Sequence, residues 1–205
     1  MKIDIKDFPT FVSEKKFVIG CDEVGYGCWA GPLVVCGVRA PKDWNLVGLN
    51  DSKKLSAAKR EALQAKLLDL VDKKDINCFL VEKSNTEIDK MGVGVALKQS
   101  YVEVFKSLYT PESLIVSDGI LKFDGMGVDT FDQVSIIKAD GQIPAVMAAS
   151  ILAKTYRDSL MKELHKLYPE YDWENNVGYG VASHKAAIKK IGLTELHRRS
   201  YNIKI

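Results

Sequence analysis

The sequence predicts an α/β domain in which a mixed β-sheet is covered by helices on both faces. Two apolar runs, residues 17–21 and 33–38, are separated by a glycine-rich turn and predict an antiparallel hairpin. Beyond the hairpin, segments of helical and strand periodicity alternate along the chain. The length of 205 residues, of which 46% are hydrophobic and 27% charged, suits one sizeable core. We therefore expect a single domain over residues 1–205.

Most elements after the hairpin follow from periodicity and capping residues. Ser56 precedes a helix with leucines at helical spacing, and residues 77–82 form the third strand. Short apolar runs at residues 114–116 and 134–137 suit strands that are covered on both faces. A helix over residues 145–160 is rich in alanine and serine, so we expect one of its sides to pack closely against the sheet.

The longest predicted helix runs from residue 85 or 86 to about residue 108. Its apolar stripe includes Val95, and Gly92 and Gly94 interrupt it. We predict that it is continuous.

The two ends of the chain lie outside this alternation. Residues 1–16 form an N-terminal extension of unassigned role, and residues 168–180 an aromatic, glycine-containing loop. Two short helices are predicted after it, capped by Ser183 and Thr194 and separated by Gly192. Residues 168–205 should therefore complete a substrate cleft as a small helical appendage.

Charge and composition exclude several classes of protein. The 29 Lys and Arg against 27 Asp and Glu give a net charge of +2, so nucleic-acid contacts must come from local clusters. The first 17 residues lack the long apolar core of a signal peptide or membrane anchor, and we expect a cytoplasmic protein that does not bind membranes. The four cysteines show neither zinc-ligand spacing nor a disulfide framework.

Acidic residues stand where predicted strands end and glycine-containing turns begin. Asp22 and Glu23 end the first strand, and Asp118 and Asp140 each follow a later apolar run and precede a glycine. If these strand ends meet at one edge, carboxylates about 4 Å apart repel by roughly 4 kcal/mol per pair. Hard divalent cations with oxygen ligands are the best candidates to balance this charge.

Two considerations oppose a metal site. Asp-Gly is a favoured turn pair, which explains each position singly without any function. In addition, adjacent strand residues point to opposite faces, so Asp22 and Glu23 reach one site only if the strand bends or bulges near Gly25.

Several motifs together resemble those of type 2 ribonucleases H, the ribonuclease HII family. They are GCDEVGYGCWAGP at residues 20–32, LNDSKKL at 49–55, AASILAK at 148–154 followed by Arg157 and Asp158, GYG at 178–180 followed by His184, and LHRRSY at 196–201. Each motif alone is weak, but they span nearly the whole chain in the family's order. This combination is highly specific.

The resemblance implies a ribonuclease H-like fold and an endonuclease that cuts the RNA strand of RNA/DNA hybrids. Asp22, Glu23, Asp118 and Asp140 then occupy the ligand positions for two Mg²⁺ or Mn²⁺ ions, and the products carry 5′-phosphate and 3′-hydroxyl ends. Duplex DNA containing ribonucleotides is a further expected substrate. We expect a monomer, and the sequence does not decide whether a replication clamp binds it.

The resemblance also assigns the substrate contacts. The loop of Gly25, Tyr26 and Gly27 lets backbone N–H groups approach a sugar or phosphate. Tyr179 corresponds to the family tyrosine that contacts the ribose and reads its 2′-hydroxyl, although a lone tyrosine can also be a packing residue. His184 either orients this loop or only begins the helix after Ser183. The candidate phosphate contacts are Asn50, Ser52, Lys53, Lys54, Lys154, Arg198 and Arg199.

The chain departs from the family pattern in both loops. Tyr26 stands where the family commonly has arginine, and Val177 and Val181 stand where it often has lysine and threonine. At position 26 the single neutral hydroxyl of tyrosine replaces the two charged N–H donors with which arginine can hold a phosphate. We therefore expect efficient cleavage of long hybrids but a weakened preference for a single embedded ribonucleotide, unless Tyr26 contacts the same phosphate.

Two other functions remain open at this point. A metal-dependent DNA nuclease or polynucleotidyl transferase would use clustered carboxylates on the same architecture. A hybrid-binding protein without turnover would retain the basic residues. The glycine-flanked Tyr179 argues against the first, and the presence of all four acids argues against the second.

Overall fold

A computed structural model describes residues 1–119 and 121–203 and confirms an α/β fold with a mixed sheet. The five strands lie in the order β3-β2-β1-β4-β5. Strand β1 pairs antiparallel with β2 and parallel with β4, while β2–β3 is antiparallel and β4–β5 is parallel. The strands are β1 (Phe17–Val24), β2 (Leu33–Pro41), β3 (Asn77–Lys83), β4 (Ser113–Asp118) and β5 (Gln133–Ile136).

Helices cover both faces of this sheet. They are α1 (Phe8–Val12), α2 (Ala57–Asp72), α3 (Asn85–Met91), α4 (Val93–Leu108), α5 (Pro144–Leu167), α6 (Trp173–Asn176) and α7 (Ala182–Ile191). Buried residues of α4, such as Tyr101 and Phe105, pack on one face, and α2 and α5 pack on the other. A Cβ atom at Gly20 of β1 would lie 2.2 Å from the backbone of Ala145, so α5 approaches the sheet as closely as its small residues predict.

The predicted long helix is in fact two helices. Gly92 has a φ of 83°, a left-handed conformation that ends α3 and precedes α4. Val95 consequently falls in the first turn of α4 and is exposed instead of lying on the apolar stripe. The prediction of one continuous helix was wrong because the glycine changes the direction of the chain.

The C-terminal region also differs from its prediction. A single helix, α7, begins after Val181, and Ser183 lies within it rather than capping it. No helix follows Gly192 among the residues described up to 203. The hydroxyl of Thr194 instead accepts the N–H of Leu196 and contacts a histidine ring, so its capping chemistry stabilises a turn.

The N-terminal residues pack along the outer edge of the sheet. The N–H of Ile3 donates to the Ser135 carbonyl at 3.0 Å, and Ser135 donates to the Met1 carbonyl at 2.7 Å. Ile3 is buried against the cluster beneath β4 and β5. These residues therefore cover the open edge of β5. No helix of the described ranges is long and apolar enough to cross a membrane.

Candidate active site

The four predicted acids come from neighbouring ends of the sheet. Asp22 and Glu23 lie at the end of β1, and Asp118 is the last residue of the adjacent parallel strand β4. Asp140 lies in a short 3-10 turn between β5 and α5. Parallel strands deliver their carboxyl ends to one edge, so their side chains can share a site.

An open cleft of about 430 Å³ runs past the end of β1. Asp22 and Glu23 contribute acids to it, and Lys53 and Lys154 contribute basic side chains. The Gly25 loop, Ser52, Ser150 and Tyr179 complete the wall. The cleft thus joins acids from the sheet with residues of two glycine-containing loops.

Asp22 and Glu23 leave opposite faces of β1. The pairing of β1 with β2 stays regular up to Val24, so the expected bend or bulge is absent. The hydroxyl of Tyr101, from α4, donates to Glu23 at 2.5 Å. Asp22 faces α5, where the Ser150 hydroxyl lies beside it. The two carboxylates border the same cleft because they stand at the end of the strand.

The pKa values of three of the acids are raised above their ordinary range. Burial raises the pKa of Asp22 to about 7, against the effect of the Ser150 hydroxyl, and the charge of Glu23 raises it further. Burial likewise raises the pKa of Glu23 and of Asp118, although each also receives a hydrogen bond that lowers it. Burial, with a smaller contribution from neighbouring acids, therefore disfavours negative charge on these carboxylates in the absence of a cation.

Lys53 provides positive charge within this group. Its Nζ lies 3.1 Å from Oδ2 of Asp140. This hydrogen bond and the nearby carboxylates raise the pKa of Lys53 and outweigh the burial that acts in the opposite direction. The ammonium in turn lowers the pKa of Glu23 and Asp118. Lys53 is thus a counter-ion shared by several of the acids.

The donor set fits a hard divalent cation in its chemistry, since it consists of carboxylate oxygens around an excess of negative charge. As the side chains stand, no three acids, cysteines or histidines of the described ranges converge on one point. Glu23 is turned to Tyr101 and Asp140 to Lys53. Coordination by all four acids would require these two hydrogen-bonded side chains to reorient.

The two glycine-containing loops lie side by side at the mouth of the cleft. Gly25 has a φ of 90°, and a Cβ there would lie 2.4 Å from Nε of Arg157. A methyl group at Gly27 would lie 3.9 Å from the ring of Tyr179. Tyr26 and Tyr179 are 45% and 41% exposed, respectively. Both are accessible to a ligand in the cleft.

The predicted phosphate contacts fall into two groups. Lys53, Lys154 and Ser52 line the cleft, where the hydroxyl of Ser52 lies 2.9 Å from that of Ser150. Asn50, Lys54 and Arg199 are exposed but lie outside this lining, as the described residues define it.

The sequence predicts that Arg198 lies on the surface as a phosphate contact, but the structure places it in the interior. It is fully buried, and its guanidinium donates to the carbonyls of Gly31 at 3.0 Å and Tyr26 at 2.9 Å. This placement argues against a direct phosphate contact and makes Arg198 a brace for the Gly25–Gly27 loop.

His184 is also fully buried, and its Nδ1 lies 3.0 Å from the Tyr179 carbonyl. Of the two predicted roles for His184, this contact favours orienting the loop.

Several residues that support the site are not predicted from the sequence. Ser150 and Tyr101 contact the carboxylates, and His197 contacts His184. The fully buried guanidinium of Arg157 donates to the carbonyls of Pro32, Val177 and Ala30. Tyr101 gave no local signal because a buried tyrosine on an apolar helix stripe is typical of a core.

Comparison of the sequence with known proteins identifies the family. A family model described as Ribonuclease HII matches residues 19–204. The ribonuclease HII of Clostridium beijerinckii is 39% identical over 204 residues, which cover 97% of this chain and 72% of that protein.

Solved structures of the same class have the same fold. Ribonuclease H2 from Pyrococcus horikoshii has a TM-score of 0.75 and 25% identity, over 91% of this chain and 94% of that chain. Ribonuclease HII from Archaeoglobus fulgidus, solved as a complex with PCNA, has a TM-score of 0.74 and 24% identity over 92% of this chain and 96% of that chain. The fold and the strand-end carboxylates thus define a ribonuclease H-type nuclease.

The chain belongs to the ribonuclease HII family, as the family model and the C. beijerinckii relative show. It is an endonuclease of the ribonuclease H type that acts on the RNA of RNA/DNA hybrids and depends on divalent metal ions.

Proposed function

We propose that Asp22, Glu23, Asp118 and Asp140 hold two Mg²⁺ or Mn²⁺ ions during hydrolysis of the RNA strand. The observation that carries this assignment is the placement of the four acids at the neighbouring ends of β1 and β4 and in the turn after β5, with burial and, to a smaller extent, mutual repulsion raising the pKa of three of them. Ions bound there would acidify an attacking water and stabilise the leaving 3′-oxygen, giving 5′-phosphate and 3′-hydroxyl products.

The protein's own groups orient these acids. Tyr101 holds Glu23, Ser150 lies against Asp22, and the Ala139 N–H donates to Asp118 at 2.9 Å. Lys53 balances the charge of Asp140 and is positioned to transfer its contact to a phosphate of the substrate. Asp22 and Asp118 are therefore supported before metal and substrate bind, whereas Glu23 and Asp140 would turn from Tyr101 and Lys53 to coordinate an ion.

Substrate recognition is assigned to the two loops at the mouth of the cleft. Tyr179 contacts the ribose and reads its 2′-hydroxyl, since its ring is exposed beside the cleft. The Gly25–Gly27 backbone approaches the adjoining phosphate, and Lys154 adds positive charge. Ribonucleotides embedded in duplex DNA are a second substrate of this site, cleaved less readily because Tyr26 offers no charge.

A substrate panel tests this function. A labelled RNA/DNA hybrid, a DNA duplex, single-stranded RNA and a duplex with one ribonucleotide are incubated with Mg²⁺, Mn²⁺ or a chelator. We expect metal-dependent cleavage of the hybrid with 5′-phosphate ends, and no cleavage of the DNA duplex. Cleavage of the DNA duplex would indicate a DNA nuclease instead, and binding of the hybrid without cleavage would indicate a binding protein.

A further inference from the structure

Two buried histidines meet beneath the loop that carries Tyr179. His184 lies in the first turn of α7, and His197 lies in the C-terminal segment, which forms a bridge to Ala30. Their Nε2 atoms are 3.0 Å apart, and both rings are fully closed to solvent. This contact connects α7, directly after the Tyr179 loop, to His197, 13 residues beyond His184 in the chain.

The surrounding donors determine the tautomer of each ring. The backbone N–H of Thr194 can only donate, and it lies 2.9 Å from Nδ1 of His197, so that nitrogen accepts. A neutral His197 then carries its proton on Nε2 and donates it to Nε2 of His184. The indole N–H of Trp173, 3.2 Å away, also donates to Nε2 of His184.

His184 must therefore carry its own proton on Nδ1. That nitrogen lies 3.0 Å from the backbone carbonyl of Tyr179, so the ring donates to the loop. Burial lowers the pKa of both histidines, to about 4 for His197, which keeps the two rings neutral at physiological pH. Each hydrogen bond in the series from Thr194 through His197 and His184 to Tyr179 is therefore donated in the same direction, towards the Tyr179 carbonyl.

The Tyr179 loop has a conformation that needs such support. Val177 has a φ of 44°, in the left-handed region that branched side chains avoid. Arg157 donates to its carbonyl at 2.7 Å, while Asn176 accepts the N–H of Tyr179 at 2.9 Å. The Tyr179 carbonyl accepts the N–H of Val181 at 2.9 Å, and Nδ1 of His184 supplies the side-chain contact to the same oxygen.

We propose that His184 and His197 form a positioning pair that holds Tyr179 in the orientation required to contact the ribose. His197 selects the tautomer, and the Nδ1–H of His184 fixes the Tyr179 carbonyl. Neither histidine touches the substrate. The inference rests on the role proposed above for Tyr179 and adds the means by which that residue is placed.

The tautomers can be measured in the unmodified protein. The chain contains three histidines, so ¹⁵N spectra of histidine-labelled protein have few signals to assign. We expect His184 as the Nδ1–H form and His197 as the Nε2–H form at pH 7. A His184 ring protonated on Nε2 could not donate to Tyr179, and this result would overturn the proposal.

A matched pair of variants separates the two bonds of His184. In His184→Asn the amide nitrogen replaces Nδ1 and keeps the bond donated to Tyr179, whereas in His184→Gln the amide oxygen replaces Nε2 and keeps the bonds accepted from His197 and Trp173. We expect Gln to lower kcat on the hybrid by about tenfold or more with little change in KM, and Asn to restore most of the rate. Equal rates for the two variants would contradict the proposal.

A double-mutant cycle shows whether His184 acts through Tyr179. On a Tyr179→Ala background, His184→Gln should have no further effect, because there is no ring left to position. Independent, multiplicative losses would make the histidine pair a general structural element and refute the proposal. If Tyr179→Ala alone loses no activity, the assigned role of Tyr179 is what fails, and the positioning role fails with it.

Discussion

Replacing Asp22 by asparagine should stabilise the metal-free protein while abolishing hydrolysis. Asp22 is only 8% exposed, and burial raises its pKa from an ordinary 3.8 to about 7. The difference corresponds to about 4 kcal/mol of unfolding free energy. Because the folded pKa lies above the unfolded one, this stability is present below pH 4 and is lost as pH rises through about 7.

Asparagine has nearly the same shape and never carries this charge. In chelator, the variant should therefore equal the wild type near pH 4 and exceed it by up to about 4 kcal/mol at pH 8. Urea unfolding at the two pH values measures the difference, and cleavage of a labelled hybrid in Mn²⁺ measures the lost activity. A variant that is no more stable than the wild type at pH 8 would refute the conclusion that burial of the Asp22 carboxylate destabilises the metal-free protein.

Three further changes test the neighbouring residues. Lys53→Met should bind Mn²⁺ more tightly in calorimetry, because the ammonium no longer competes for Asp140; an unchanged affinity would show that the ion pair does not oppose metal binding. Tyr179→Phe should impair cleavage less than Tyr179→Ala, because the ring still packs against the ribose without its hydroxyl. Equal losses in rate assays would make the hydroxyl the essential group. Tyr26→Arg should raise kcat/KM on a duplex with one embedded ribonucleotide by roughly tenfold to a hundredfold at one fixed salt concentration. Efficient wild-type cleavage of that substrate, unchanged in the variant, would mean that tyrosine substitutes fully for arginine.

Local sequence signals are sufficient for the hairpin and the mixed sheet, and they also single out the four acids. The β1–β2 hairpin follows from two apolar runs and a glycine-rich turn, and the structure pairs them antiparallel. Asp22, Asp118 and Asp140 are candidates because each acid follows an apolar run and precedes a glycine-containing turn, which is a property of neighbouring residues. Such signals do not depend on how distant parts of the chain meet.

The residues that the sequence analysis misplaced depend on distant contacts. A run containing Arg198 and Arg199 is typical of a solvated surface, yet Arg198 is buried on carbonyls 167 and 172 residues away. Nothing near it in sequence indicates those partners. The sequence shows Gly92 within the helical pattern, but a glycine there can either be tolerated or end the helix. Tertiary packing decides which of these two outcomes occurs.

The most direct test compares hybrid cleavage by four single variants, Asp22→Asn, Glu23→Gln, Asp118→Asn and Asp140→Asn, with that of the wild type in saturating Mn²⁺. Asp43→Asn is the matched control, since Asp43 is exposed and lies outside the cleft. We expect each of the four to lose about a hundredfold or more in initial rate while remaining folded, and the control to keep the wild-type rate. Near-normal cleavage by both Asp22→Asn and Asp118→Asn would contradict the assignment of these strand ends as the metal-binding active site.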